Sequence, residues 1–312
     1  MQTLKILMIG HSLGNDATNM TPMVFKHHSD IHVVMGVLYH SGCRLAQHVD
    51  YLEQNAAQYA YYEFDTELDT QWRRADCKGD YHIYTGGAND IYIADGTIAQ
   101  TMAYAIRRQE WDIVVMQAGV FEAAGAKDSA YTVDMPRHIH RIQEYVLENL
   151  TNREKQPIFA WNMTWSTPMD PELLNESYTK NLEKLHGGDS RNMYENIARN
   201  LRDVVEPAYP FRWVMPSGTA MENAKQFFTD KDLYRDTIHA SEFTRLMTSY
   251  IWFCRITGTD LCSLRIMDVP AESRQAPGRK TGQPLVLTEQ QKQLLKFCAQ
   301  KAMENPYAVT KA

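Results

Sequence analysis

Leu4-Lys5-Ile6-Leu7-Met8-Ile9 is a short apolar run that stops abruptly at Gly10-His11-Ser12-Leu13-Gly14-Asn15. Isoleucine, leucine and methionine in an unbroken run, bounded by glycine, read as a strand covered on both faces, the condition of a central strand in a parallel sheet. Open parallel sheets bind ligands beyond the carboxyl ends of their strands, so this strand delivers Ser12 to the edge where chemistry is expected.

The same grammar recurs outward from that stretch. Residues 31–39 form a second apolar run that closes on His40-Ser41-Gly42-Cys43, and further runs lie at 112–117, 157–161 and 212–215. Helical patterns separate them. Thr21-Pro22 is a helix opening, residues 44–57, 97–108, 136–149, 193–205 and 220–227 are amphipathic, and 241–257 is a strongly apolar helix ended by Gly258. Thr288 with Gln291 forms a capping box that opens a last helix to about Met303. Five strands alternating with helices predict right-handed crossovers, a mainly parallel five-stranded sheet and a doubly wound, three-layer α/β/α sandwich. Residues 59–93 break the alternation, being rich in tyrosine and charge, and read as a β-hairpin insertion. Residues 267–284, rich in Pro, Arg and Gly, read as an extended connection within a C-terminal extension of about 264–312. The expected organisation is one domain over 1–312.

Composition bounds the function. With 312 residues, 44% of them hydrophobic, the chain can bury a large single core. A formal net charge of -6 and no basic stripe argue against a nucleic-acid partner. No apolar stretch is long enough to span a bilayer, so no membrane partner is expected. The expected compartment is the cytoplasm, or the periplasm or exterior for a chain whose leader has been removed. Cys43, Cys77, Cys254, Cys262 and Cys298 are scattered and odd in number, and read as free thiols rather than a disulfide framework or zinc site. His27, His28, His32, His138 and His140 lack metal-like pairing with carboxylates, and no metal or organic cofactor is expected.

A serine hydroxyl becomes a nucleophile when a base takes its proton, and the base is best held in one tautomer by a carboxylate. Asp236-Thr237-Ile238-His239 is the only place where a histidine follows an aspartate by three residues, and it immediately precedes the apolar helix at 241–257. Gly10-x-Ser12-x-Gly14 also spells the nucleophile elbow of α/β-hydrolases, but that elbow follows a strand reached after several others, whereas Ser12 ends the first.

Gly10-His11-Ser12-Leu13 at the first strand, joined to Asp236-x-x-His239 near the C-terminal end, resembles the GDSL, or SGNH, hydrolases over roughly residues 4–258. The third strand is similar to an uncharacterised branch of that superfamily, with Trp111-Asp112, an apolar run and Gln117. The resemblance implies the flavodoxin-like SGNH fold and a catalytic triad of Ser12, Asp236 and His239. It also implies an oxyanion hole made by the backbone of Ser12, a glycine after the second strand, matched by Gly42, and an asparagine in a Gly-x-Asn-Asp block after the third. Phe121 and Glu122 stand where that Asn-Asp is expected, and Gln117 is the substitute amide donor. Gly87-Ala88-Asn89-Asp90 spells the block but precedes the third strand, where it suits a turn equally well. His11 replaces the usual Asp or Asn beside the nucleophile. The expected activity is hydrolysis of a small acyl ester, of acetyl type, on a carbohydrate. Trp161, Trp165, Tyr39 and Phe121 are core edges or a stacking platform for a sugar. The alternatives are a GDSL-type lipase or thioesterase, or a non-catalytic glycan-binding protein on the same fold.

Overall fold

The computed structural model describes residues 2–69, 72–75, 81–83, 99–270 and 284–311. Its strands are β1 (Thr3–Gly10), β2 (His32–Tyr39), β3 (Ala60–Asp65), β4 (Arg73–Ala75), β5 (Tyr81–Ile83), β6 (Ile113–Met116), β7 (Ile158–Asn162) and β8 (Trp213–Met215). They form one sheet in the order β5-β4-β3-β2-β1-β6-β7-β8. The five strands expected from the sequence are parallel, with β1 between β2 and β6. The sheet is wider than five strands, because β3, β4 and β5 add antiparallel ribbons on the free edge of β2. Where residues 59–93 read as a hairpin, the described part therefore holds three strands that continue the main sheet.

The helices are α1 (Ser12–Thr18), α2 (Thr21–His28), α3 (Leu45–Glu53), α4 (Met102–Arg107), α5 (Val120–Ala123), α6 (Ala130–Glu148), α7 (Glu176–His186), α8 (Ser190–Asn200), α9 (Glu206–Ala208), α10 (Ser217–Ala224), α11 (Asp230–Leu233), α12 (Glu242–Thr257) and α13 (Glu289–Glu304), with a π-helical turn at Leu201–Val205. Strand alternation divides them into two layers. Ile6 and Met8 of β1 pack into a core shared with α1, α2, α10, α12 and α13. Leu7 and Ile9 enter a second core shared with α3, α4, α6 and α8. This is a three-layer α/β/α arrangement, and it explains why β1 is apolar on both faces.

Several helix boundaries differ from the sequence expectation, α10 for one running Ser217–Ala224 rather than 220–227, and two of the differences have a cap behind them. Helix α6 starts at Ala130 rather than near Pro136, because the Ser129 hydroxyl accepts a bond from the Thr132 amide (3.3 Å) and leaves the proline inside the helix. Helix α4 starts at Met102 behind a Thr101 cap, one turn later than expected. The cap at Thr288 and the left-handed Gly258 (φ 74°) stand where the sequence places them, and Ser241, expected as the first residue of its helix, is its N-cap. Cys43, Cys254 and Cys298 are buried free thiols and Cys262 is an exposed one; Cys77 lies outside the described residues. Among the described residues no helix is long and apolar enough to cross a membrane.

Candidate active site

The carboxyl ends of β1, β2 and β6 meet at one edge. Ser12 is the first residue of α1, but it does not cap that helix. His11 does: its Nδ1 accepts from the Leu13 amide (3.4 Å), while its Nε2–H donates to the Ala118 carbonyl beyond β6 (2.9 Å). These two partners require the neutral ring with its proton on Nε2, and complete burial lowers its pKa to about 4. His11 thus staples the serine loop to the neighbouring strand end. The half-exposed Ser12 hydroxyl has no hydrogen-bond partner among the described residues.

Asp236 and His239 are brought together. His239 Nδ1 donates to Asp236 Oδ1 (2.8 Å), and the same oxygen accepts the backbone amides of Ile238 (3.2 Å) and His239 (3.0 Å). Burial pushes the Asp236 carboxyl up, but the hydrogen bond and charge of His239 outweigh it and hold the acid well below the usual carboxylate range. With Nδ1 carrying the proton, Nε2 presents a lone pair, and it is unpartnered among the described residues. The loop that carries the pair is anchored at both ends. The Arg235 amide donates to the His239 carbonyl (2.9 Å), Trp165 Nε1 to that of Ile238 (2.7 Å), and the Thr237 hydroxyl to that of Leu173 (2.8 Å).

The link from this loop to the serine helix is Asp16, one turn beyond Ser12 on α1. Asp16 Oδ2 accepts the Ala240 amide (2.9 Å), and Oδ1 accepts Arg235 Nη1 (2.8 Å) and Arg245 Nε and Nη2 (2.9 and 2.7 Å). Burial raises the Asp16 carboxyl, and the two guanidinium groups more than reverse that, so it stays ionised. Asp16, which holds the residue after His239, lies one turn along α1 from Ser12, a rise of about 5.4 Å. Ser12 and His239 do not hydrogen-bond to each other. Such contacts are often loose without substrate.

Gly42 lies in an exposed turn after β2 with φ +60°, and its amide donates to no described residue. Gln117, just past β6, is fully buried beneath the serine loop, with both amide atoms unpartnered among the described residues. A Cβ at Gly14 would sit 3.2 Å from Gln117 Oε1 and 2.5 Å from Met8 Cε, so a larger residue there would have to displace the ends of these two side chains. Phe121 and Glu122 have other work. Glu122 accepts the Leu45 amide (2.9 Å) at the start of α3 and the Gly119 amide (3.1 Å), tying the Gly42 loop to the loop after β6. Phe121 packs on Tyr178, ring centroids 5.2 Å apart. Trp161, Trp165 and Tyr39 are core residues at 3%, 0% and 4% exposure, which removes them as a stacking surface; Phe121 is half-buried. Asn89 and its block lie outside the described residues. No group of three metal-ligating side chains occurs among the described residues.

The family model described as Domain of unknown function (DUF4886) matches residues 89–276, more than half of the chain. The chain belongs to the DUF4886 family. A DUF4886 family protein from Bacteroides uniformis ATCC 8492, known from its crystal structure, shares the fold with a TM-score of 0.73 at 20% identity, over 99% of this chain and 98% of that one. A provisionally assigned GDSL-like lipase from Parabacteroides merdae ATCC 43184 gives a TM-score of 0.43 at 12% identity, over 81% and 95%. A catalytic mutant of an acetylxylan esterase from Geobacillus stearothermophilus gives 0.42 at 11%, over 82% and 96%. Likenesses that loose decide nothing about this chain. No curated protein matches it. The DUF4886 match includes Gln117 and the Asp236–His239 loop and begins after Ser12 and Gly42, so the serine edge rests on the geometry above.

The residues that the sequence did not single out are Asp16, Arg235 and Arg245. Only Arg245 carried a signal, a charged side chain on a strongly apolar helix, which needs a partner when buried.

Proposed function

We propose that this DUF4886 protein is a serine esterase acting on a small acyl ester, of acetyl type, carried by a carbohydrate. One observation carries the reading: a carboxylate-oriented histidine, Asp236 Oδ1 to His239 Nδ1 at 2.8 Å, is tethered to the helix whose first residue is a serine unpartnered among the described residues. In this reading His239 Nε2 takes the Ser12 proton as Oγ attacks the ester carbonyl, and returns it to the departing alcohol. Water, deprotonated by the same nitrogen, then hydrolyses the acyl-serine and releases the acid. Asp236 holds the ring in the productive tautomer and stabilises the imidazolium.

The oxyanion is assigned to the backbone amides of Ser12 and Gly42, each such donor contributing about 3 to 4 kcal/mol. Gln117 is the third donor. Its amide is unpaired beneath the serine loop, and because it is fully buried, a rotation of its side chain has to present Nε2 to the site. A non-catalytic glycan-binding protein is the second reading, favoured by the structural employment of Glu122 where an oxyanion-hole block is expected.

Hydrolysis of 4-nitrophenyl acetate and of longer-chain esters, with fluorophosphonate labelling, separates these readings. Turnover and labelling of the wild type, lost by about 10⁴-fold or more in Ser12→Ala, with acetate preferred, is the expected result. Preference for long chains points instead to a lipase or thioesterase. A folded wild type inert to both reagents refutes the esterase.

A further inference from the structure

We propose that Asp16 is a positioning residue for the reaction: with Arg235 it sets the placement of His239 against Ser12. The inference rests on the esterase reading above, and its observations are independent of it. Asp16 and Ser12 share one rigid helical turn, so whatever Asp16 grips is fixed relative to the serine. What it grips is the histidine loop. Oδ2 takes the amide of Ala240, the residue bonded to His239, and Oδ1 takes Arg235, whose Nη1 also donates to the Ala240 carbonyl (2.8 Å). Ala240 is therefore held through both its amide and its carbonyl.

Arg235 has a further neighbour. Its Nε lies 3.9 Å from Asp236 Oδ2, so the guanidinium stands between the carboxylate on the serine helix and the carboxylate that orients the histidine. Arg245, wholly buried on α12, closes the group from below and is itself shared with Glu242 (3.2 Å). Charge-assisted bonds in a buried setting are short and directional, and a carboxylate with both oxygens engaged has little freedom to tilt. Ser12 and His239 make no hydrogen bond to each other in the free protein, and of the anchors of the histidine loop this seam is the one that reaches the serine helix.

The test uses Asp16→Asn, Arg235→Gln and His239→Gln in the full chain. Wild-type protein should show a downfield imidazole N–H proton from the His239–Asp236 bond, identified by its loss in His239→Gln. In Asp16→Asn, folded by circular dichroism, that resonance should broaden or vanish. With 4-nitrophenyl acetate, KM should stay within about threefold while kcat falls about 100-fold, the cost of misplacing a group by about an ångström. Arg235→Gln should show the same pattern at about tenfold, and it decides the matter if Asp16→Asn does not fold. A retained resonance with unchanged kcat in a folded variant overturns the proposal. If the wild type has no esterase activity, the resonance alone decides: its loss in these variants supports positioning, and its retention refutes it.

Discussion

Two acid-centred clusters lie side by side where α1 meets the histidine loop, and they are built to opposite specifications. Asp236 and His239 keep 41% and 28% of their side chains exposed, while Asp16 and Arg245 keep 1% and 0%. The exposed pair can exchange protons with a bound molecule and can change charge during a reaction. The buried group cannot: a carboxylate between two guanidinium groups away from water stays ionised, and its use is to hold geometry. The contrast separates a part that reacts from a part that aligns, although the amide that Asp16 holds belongs to Ala240, the residue directly bonded to His239.

Substitutions on the two sides should therefore fail differently. Asp236→Asn should leave the thermal midpoint nearly unchanged, since a half-exposed pair contributes about 0 to 1 kcal/mol, yet lower kcat by about 10³ to 10⁴-fold by loss of the required tautomer. A steady-state assay beside a melting curve reads both; a large drop in melting temperature without loss of kcat would erase the distinction. Asp16→Ala should do the reverse in emphasis, costing about 3 to 5 kcal/mol because Arg235 and Arg245 lose a buried partner. Chemical denaturation measures it, and a loss under about 1 kcal/mol would show that the cluster is not a strut.

The smallest expected effect concerns His11. Its folded pKa, about 4, lies below the ordinary value of 6.5, so between those limits the unfolded chain binds a proton that the folded chain refuses. Stability is then full above pH 6.5 and declines as pH falls toward 4, by about 1.4 kcal/mol per pH unit for this group. His48 and His28, lowered by burial to about 3 and about 4, add slopes of their own, so the measurement is a difference. His11→Asn, which keeps a side-chain acceptor at the cap, should flatten the pH dependence of unfolding by that increment. Equal slopes would mean that folding does not change the proton affinity of His11.

The pair was legible in the sequence and the strut was not, for a physical reason. Asp236 and His239 are three residues apart, and a spacing is visible in a string. Asp16 meets Arg235 and Arg245 across 219 and 229 residues, and nothing local in an ion pair announces its partner. The strands of the parallel sheet were readable because burial on both faces leaves an unbroken apolar run. Strands β4 and β5, three residues each, are too short to show a period. Pro136 misled for a related reason: proline fits the first turn of a helix, but the Ser129 cap, seven residues earlier, had already opened it. Glu122 reads as a departure from a catalytic block until the Leu45 amide, 77 residues away, is seen to need an acceptor.

The place of β1 in the sheet has a consequence for how the molecule opens. It is bonded on both sides, covered by a helical layer on each face, and extended at its start by the Asp112 carboxylate on the Lys5 amide (2.7 Å). Hydrogen exchange should therefore find the amides of its buried half, Ile6 to Gly10, among the best protected, and those of β5, at the edge of the sheet, less so. Ser12 thus follows, after His11, the strand with a neighbour on each side and a helical layer on each face, and β1 and β2 stand between it and the β5 edge of the sheet.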